Sequence, residues 1–174
     1  MNKKNLKIQK MVVLAMLIAL YIIFSRLLSL NIGGSHKISF TFICIALMGC
    51  LYSPYVTAIS CAGADFIGCM LFPKLTYFPG FTLTAFLVGL VFGIVFSNKV
   101  NFVRILIATG LTCLIQFFVN SFWLKIICHV PYSVMLISRI PQECIMAVVM
   151  VILLSALFKL DIIQKRLKCG TNSR

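Results

Sequence analysis

The amino-acid sequence predicts an all-α membrane protein, a bundle of six transmembrane helices with both termini in the cytoplasm. Three observations carry this. First, 61% of the 174 residues are hydrophobic and 11% are charged, where soluble domains carry about 25% charged residues. Second, apolar runs near the roughly 20 residues needed to span a bilayer follow one another with little between them, and the mean hydropathy is +1.09. Third, the net charge of +13 is concentrated at the ends and in one short connection. Lys3, Lys4, Lys7 and Lys10, then Lys99 and Arg104, then Lys159, Lys165, Arg166, Lys168 and Arg174 all fall on one side of a six-span topology. That is the positive-inside pattern, and it accounts for the charge better than a nucleic-acid surface does.

The spans are expected near Met11–Leu30, Phe40–Tyr52, Tyr55–Phe72, Phe81–Phe96, Phe102–Ile127 and Tyr132–Phe158. They form a single membrane domain over residues 1–174: a basic cytoplasmic N-terminus (1–10), the bundle (11–160) and a basic cytoplasmic tail (161–174). The first run is too uninterrupted for a signal-peptide core and lacks a small-residue cleavage site, so it reads as a retained span. Ser53-Pro54 is a tight turn between spans two and three, because proline cannot continue the preceding helix. Spans three and four carry small residues four apart, Ser60, Ala64 and Gly68, then Ala85, Gly89 and Gly93, which allow close helix approach in lipid. Ala15 and Ala19 repeat that spacing on span one, for packing within the chain or for docking another subunit.

Polarity inside the spans carries the functional inference. A charge at mid-membrane costs on the order of 2.5–3.5 kcal/mol on insertion scales, so it normally faces a partner or a wet cavity. Thr109, Thr112, Gln116, Asn120 and Trp123 recur at three- and four-residue steps and form a stripe on span five. Arg139, Gln142, Glu143 and Met146 do the same on span six, while Asp65 and Arg26 complete the set. Twelve residues after Asp65 comes Tyr77-Phe78-Pro79-Gly80-Phe81-Thr82, an aromatic connection suited to stacking on something flat. These groups are expected to converge on a cavity in the outer half of the bundle. A purely structural network, with Arg139 paired to Glu143 and Asp65 satisfying a loop amide, is the alternative. The eight cysteines include no Cys-x-x-Cys and read as small buried hydrophobes.

With those residues in place, the stretch from Lys37 to Gly93 resembles the substrate-binding S components of energy-coupling factor (ECF) transporters, most nearly their folate-type subfamily. The features that match are Ile38-Ser39-Phe40, the Gly49-to-Pro54 turn, Asp65 and, above all, Tyr77 to Thr82. Asn120 with Trp123, and Arg139-Ile140-Pro141-Gln142-Glu143, extend the resemblance along the chain. Cys44 and Ser53 depart from the pattern.

The resemblance implies a vitamin-binding membrane subunit of an ECF-type importer in a bacterial cytoplasmic membrane. It would capture folate from outside, and partner subunits would drive uptake with ATP. Ala15 and Ala19 would dock a transmembrane coupling subunit, which is driven by two ATPase subunits. The substrate-binding set is Arg26, Lys37, Asp65, Tyr77, Phe78, Pro79, Gly80, Phe81, Thr82, Gln116, Asn120, Trp123 and Arg139. Trp123, Phe81, Asn120 and Asp65 would serve a flat pterin, and the basic groups its carboxylates. The segments Tyr77–Thr82 and Asn31–Lys37 would form an outer lid. No catalytic residue, metal, cofactor or nucleic-acid partner is expected. The alternatives are an S component for another vitamin, such as pantothenate, a thiamine precursor or a queuosine precursor, and an intramembrane enzyme using Asp65 or Glu143 with His129.

Overall fold

The computed structural model describes residues 3–27, 30–32, 36–72, 78–97, 100–128 and 132–159, with backbone alone for 3–7, 30–32, 36–38, 124, 126–128 and 132–139. Among these residues seven α-helices run in order: α1 Lys3–Arg26, α2 Thr41–Leu51, α3 Pro54–Leu71, α4 Pro79–Phe96, α5 Phe102–Ile115, α6 Ser121–Cys128 and α7 Tyr132–Lys159. A π-helical turn, Gln116–Asn120, joins α5 to α6. Between α1 and α2 the chain forms a short antiparallel ribbon of β1 Leu30–Ile32 and β2 His36–Ile38, with Asn31 opposite Lys37. An all-helical chain was expected, with a plain loop here. Backbone pairing across the ribbon satisfies groups that a loop would leave to water.

Among the described residues, five segments are long and apolar enough to cross a membrane: Ile8–Arg26, Pro54–Leu71, Pro79–Phe96, Phe102–Trp123 and Ile140–Lys159. Helix α2 is the exception to the six expected spans. Its 11 residues extend only about 16 Å at 1.5 Å per residue, roughly half of a hydrocarbon core. Its position is nonetheless central. Phe42, Cys44, Ile45, Ala46 and Met48 are buried in the main hydrophobic cluster with Phe92, Phe96 and Leu154. Ser53 and Pro54 turn the chain directly into α3, proline occupying the first helical position, where its missing N–H costs nothing.

Helices α3 and α4 form the most intimate pair, and the small residues explain why. A Cβ added at Gly93 would lie 2.6 Å from Pro54 Cα, and one at Gly89 would lie 3.0 Å from Ala58 Cα. Gly49 of α2 packs equally close to α4, its Cβ position 2.8 Å from the Phe92 carbonyl oxygen. Gly68, at the expected spacing on α3, faces the other way, onto Ile22 and Arg26 of α1. The Tyr52 hydroxyl donates to the Lys10 carbonyl and ties the turn after α2 to α1. Ala15 and Ala19 stay exposed on α1, among the exposed Val12, Met16, Leu20 and Ile23. They are not packed within the described chain.

Candidate functional site

Two groups of side chains lie at the start of α4, one joining it to α3 and α1 and the other joining it to α6. The first is built on Arg26, the last residue of α1. Its Nη2 lies 3.4 Å from Asp65 Oδ1, and the two side chains are 11% and 13% exposed. The same nitrogen donates to Cys69 Sγ at 2.6 Å. Cys69 follows Asp65 by one helical turn and its thiol lies 4.0 Å from Asp65 Oδ2. From α4, Thr82 Oγ1 donates to Asp65 Oδ2 at 3.3 Å. Gly68 makes room for this, since its Cβ position lies 3.2 Å from Arg26 Nε. Nε itself is buried and has no hydrogen-bond partner among the described residues. The lone acid of α3 is thus matched to a cation, as a charge removed from water must be, and the guanidinium keeps a donor in reserve.

The second group is aromatic. Helix α4 begins at Pro79, two residues before the expected start of span four at Phe81, so Pro79, Gly80, Phe81 and Thr82 make its first turn. Proline at the first helical position, after extended Phe78, favours that early start. Trp123 of α6 packs on Phe78, ring centroids 5.4 Å apart, and Phe78 meets Phe81 edge-on at 6.2 Å. The indole Nε1–H donates to Thr84 Oγ1 at 3.2 Å, and that hydroxyl donates to the Gly80 carbonyl at 3.0 Å. Gly80 is what permits the stack: a Cβ there would lie 2.5 Å from Trp123 Cδ2 and 2.6 Å from Phe78 Cε1.

Of the residues expected at the site, Arg26, Asp65 and Thr82 therefore form one cluster, and Phe78, Gly80, Phe81 and Trp123 form the other. Pro79 starts the helix that carries both. The alternative of Asp65 satisfying a loop amide gives way among the described residues to the Arg26 pair. Gln116 and Asn120 are half-buried in the π turn, and the Asn120 Oδ1 is fully buried without a partner among the described residues. Tyr77 and His129 lie outside the described residues. For Lys37 and Arg139 only the backbone is described, in β2 and in α7. Sequence reasoning missed Cys69 and Thr84. Each lies four residues after a residue it did choose, Asp65 and Gly80, which is one turn along the same helical face.

The straight polar stripe expected on span five also needs correction. Thr109 and Thr112 are buried, and so is Ser121, which the three- and four-residue spacing had left out. Their hydroxyls have no partner among the described residues. Elsewhere helical hydroxyls bond their own backbone, as Thr57 does to Ser53 and Ser155 to Ile152. The π turn shifts the register between Thr112 and Trp123, so a constant α-helical step cannot describe both ends.

Comparison with known proteins bears on this arrangement directly. Residues 9–160 match the family of the ECF transporter substrate-specific component. The chain is 38% identical over 142 residues to the folate transporter FolT of Clostridium novyi, covering 80% of this chain and 82% of that one. It is 31% identical over 133 residues to FolT of Leuconostoc mesenteroides subsp. mesenteroides, covering 74% and 70% respectively. Among solved structures it superposes on FolT bound with folic acid with a TM-score of 0.80 and 33% identity, over 84% of this chain and 90% of that one. It also superposes on the S component for biotin from an ECF-type ABC transporter, with a TM-score of 0.66 and 23% identity over 91% and 95%. At that identity the second match speaks for the fold alone. With a match to the family over most of its length, the chain belongs to the substrate-specific components of ECF transporters, membrane transport subunits rather than enzymes.

Proposed function

We propose that this protein captures folate at the outer face of the bacterial cell membrane for ATP-driven import. The observation that carries the proposal is the pairing of a stacked Trp123–Phe78 corner with a buried Arg26–Asp65 cluster, in a chain so similar to FolT bound with folic acid. Folate is flat and aromatic at one end and carries carboxylates at the other. A pterin suits an aromatic wall with amide and hydroxyl partners, supplied by Phe78, Phe81, Trp123 and Asn120. A carboxylate suits a guanidinium with spare donors, and Arg26 Nε has no partner among the described residues. Lys37, Tyr77, Pro79, Gly80, Thr82, Gln116 and Arg139 complete the proposed binding set, with the β1–β2 ribbon and the Tyr77–Thr82 segment as outer lid.

In this reading α2 counts as a sixth, shortened span, which returns both termini to the cytoplasm, and the whole chain acts as one membrane domain. Ala15 and Ala19, exposed on α1, dock the transmembrane coupling subunit, which two ATPase subunits drive. Titration calorimetry of the purified protein against folate, pantothenate, a thiamine precursor and a queuosine precursor tests the substrate. Folate is expected to bind at least tenfold more tightly than the others; preference for another vitamin would overturn the assignment. Replacing Ala15 and Ala19 together by Trp should abolish uptake in cells while folate binding to the isolated protein persists.

A further inference from the structure

The π turn Gln116–Asn120 sits directly before Trp123, and the burial pattern around it measures what it does. Side chains advance about 100° per residue in an α-helix. On α5 the exposed Val103, Leu106, Ile107, Leu111 and Leu114 mark the outer face, opposite the buried Ile105, Ala108, Thr109 and Thr112. If the α spiral continued unbroken, Ser121 would lie about 180° from Thr112, in the middle of the outer face, and Phe122 would lie off to one side. The structure has the reverse. Ser121 is 0% exposed and Phe122 is 49% exposed.

One residue absorbed in the wide turn accounts for both. It sets every later position back by about 100°, which brings Ser121 near the bearing of Thr109 and puts Phe122 on the outer face. Trp123 then points to the side, toward Phe78 and Thr84 of the α4 entrance, where it is found. The turn also ends at Asn120, whose buried Oδ1 has no partner among the described residues. Such turns arise as local insertions within α-helices and gather at functional sites.

We infer that the Gln116–Asn120 turn is a one-residue register insertion that positions Trp123 and the Asn120 amide at the solute site while keeping Phe122 toward lipid. The Asn120 part rests on the folate reading above; the register part stands on burial alone. An inserted residue can be removed without moving either flank. Deleting Val119 should close the turn into α-helix and leave Ser121, Phe122 and Trp123 on their present bearings. Deleting Phe118 and Val119 together should turn Trp123 by a further 100° or so, onto the bearing Phe122 now holds.

Trp123 is the only tryptophan in the chain, so it reports its own position. The test is quenching of its fluorescence by brominated phosphatidylcholine in reconstituted vesicles, without folate, for the intact protein and both deletions. Quenching is expected to be the same for the intact protein and the single deletion, and at least twofold stronger for the double deletion. Stronger quenching after the single deletion, or none after the double, overturns the register assignment. So does a single deletion that gives no monodisperse folded protein. Folate titration then reads Asn120. The single deletion should weaken binding about tenfold, the scale of one lost hydrogen bond, with Trp123 unmoved. Unchanged affinity would overturn the positioning role. An intact protein that fails to bind folate would refute the substrate and leave the quenching result to decide the register.

Discussion

Helices α3 and α4 and the facing wall of α5–α6 draw on similar residues, glycines, threonines and serines among bulky apolar side chains, and use them differently. Between α3 and α4 the small residues bring backbones into contact, and the hydroxyls are satisfied. Thr57 bonds the Ser53 and Met48 carbonyls, and Thr84 bonds Gly80 while accepting from Trp123. On α5–α6, among the described residues, Gly110 has nothing within 4 Å of its Cβ position, and Thr109, Thr112, Asn120 and Ser121 keep buried oxygens unpaired. One wall is a finished scaffold. The other withholds polar groups, at the cost that buried unpaired groups carry, and a recognition surface has use for them.

The contrast breaks most easily at Gly93. Gly93→Leu would drive a branched side chain into Pro54, whose Cα already lies 2.6 Å from the nearest added carbon. Backbone cannot swing away as a flexible side chain can, so the cost should reach or exceed about 3 kcal/mol, the upper end of overpacking. Thermal unfolding in detergent measures it. Gly110→Leu on the other wall should leave the midpoint nearly unchanged.

Next in size is Asp65→Asn. The variant keeps an acceptor for Thr82 and removes the charge that compensates Arg26. Breaking a buried pair costs about 3–5 kcal/mol; with the two ends 11% and 13% exposed, a loss of about 2–3 kcal/mol is expected. Thermal unfolding would show this as a lowered midpoint. An unchanged midpoint would mean that Arg26 is held by its neighbours without Asp65.

These two sites also mark what the sequence made legible. Helix positions, the close α3–α4 packing and the inward polarity of Asp65, Asn120 and Trp123 follow from hydropathy, small-residue spacing and the cost of polar groups in lipid. Three things do not. The Arg26–Asp65 pair joins residues 39 positions apart, and nothing local says which cation an intramembrane acid will find. The π turn hides because its residues, Gln-Phe-Phe-Val-Asn, suit an α-helix equally well, and only the burial of Ser121 against Phe122 exposes the shift. The central place of α2 hides as well: Phe40–Tyr52 is visibly short for a span, but hydropathy does not say that so short a helix lies in the main hydrophobic cluster.

Gly80→Ala sharpens the comparison at the point where the two walls touch. Its added carbon would fall 2.5 Å from Trp123 Cδ2 and 2.6 Å from Phe78 Cε1, and both are atoms of side chains that can move. Stability should fall by about 1 kcal/mol, the low end of overpacking. Trp123, pushed off Thr84, should lose its hydrogen bond and weaken folate binding by about tenfold. Calorimetric titration beside thermal unfolding separates the two effects. Equal losses in binding and stability would mean that the stack is scaffold rather than recognition surface.

The smallest effect tests the contrast most directly, because the same change is made on both walls. Thr57→Val removes a buried hydroxyl that donates to two carbonyls, and should cost about 1 kcal/mol. Thr112→Val removes a hydroxyl equally buried, 2% exposed against 0% for Thr57, but without a partner among the described residues. Replacing an unsatisfied polar group by an apolar one of the same shape is neutral or stabilising, so its thermal midpoint in the absence of folate should hold or rise. Of the two midpoints, only that of Thr57→Val should therefore fall. If both fall together, Thr112 is satisfied in the membrane by water or a neighbouring side chain, and the α5–α6 wall is as complete as the α3–α4 interface.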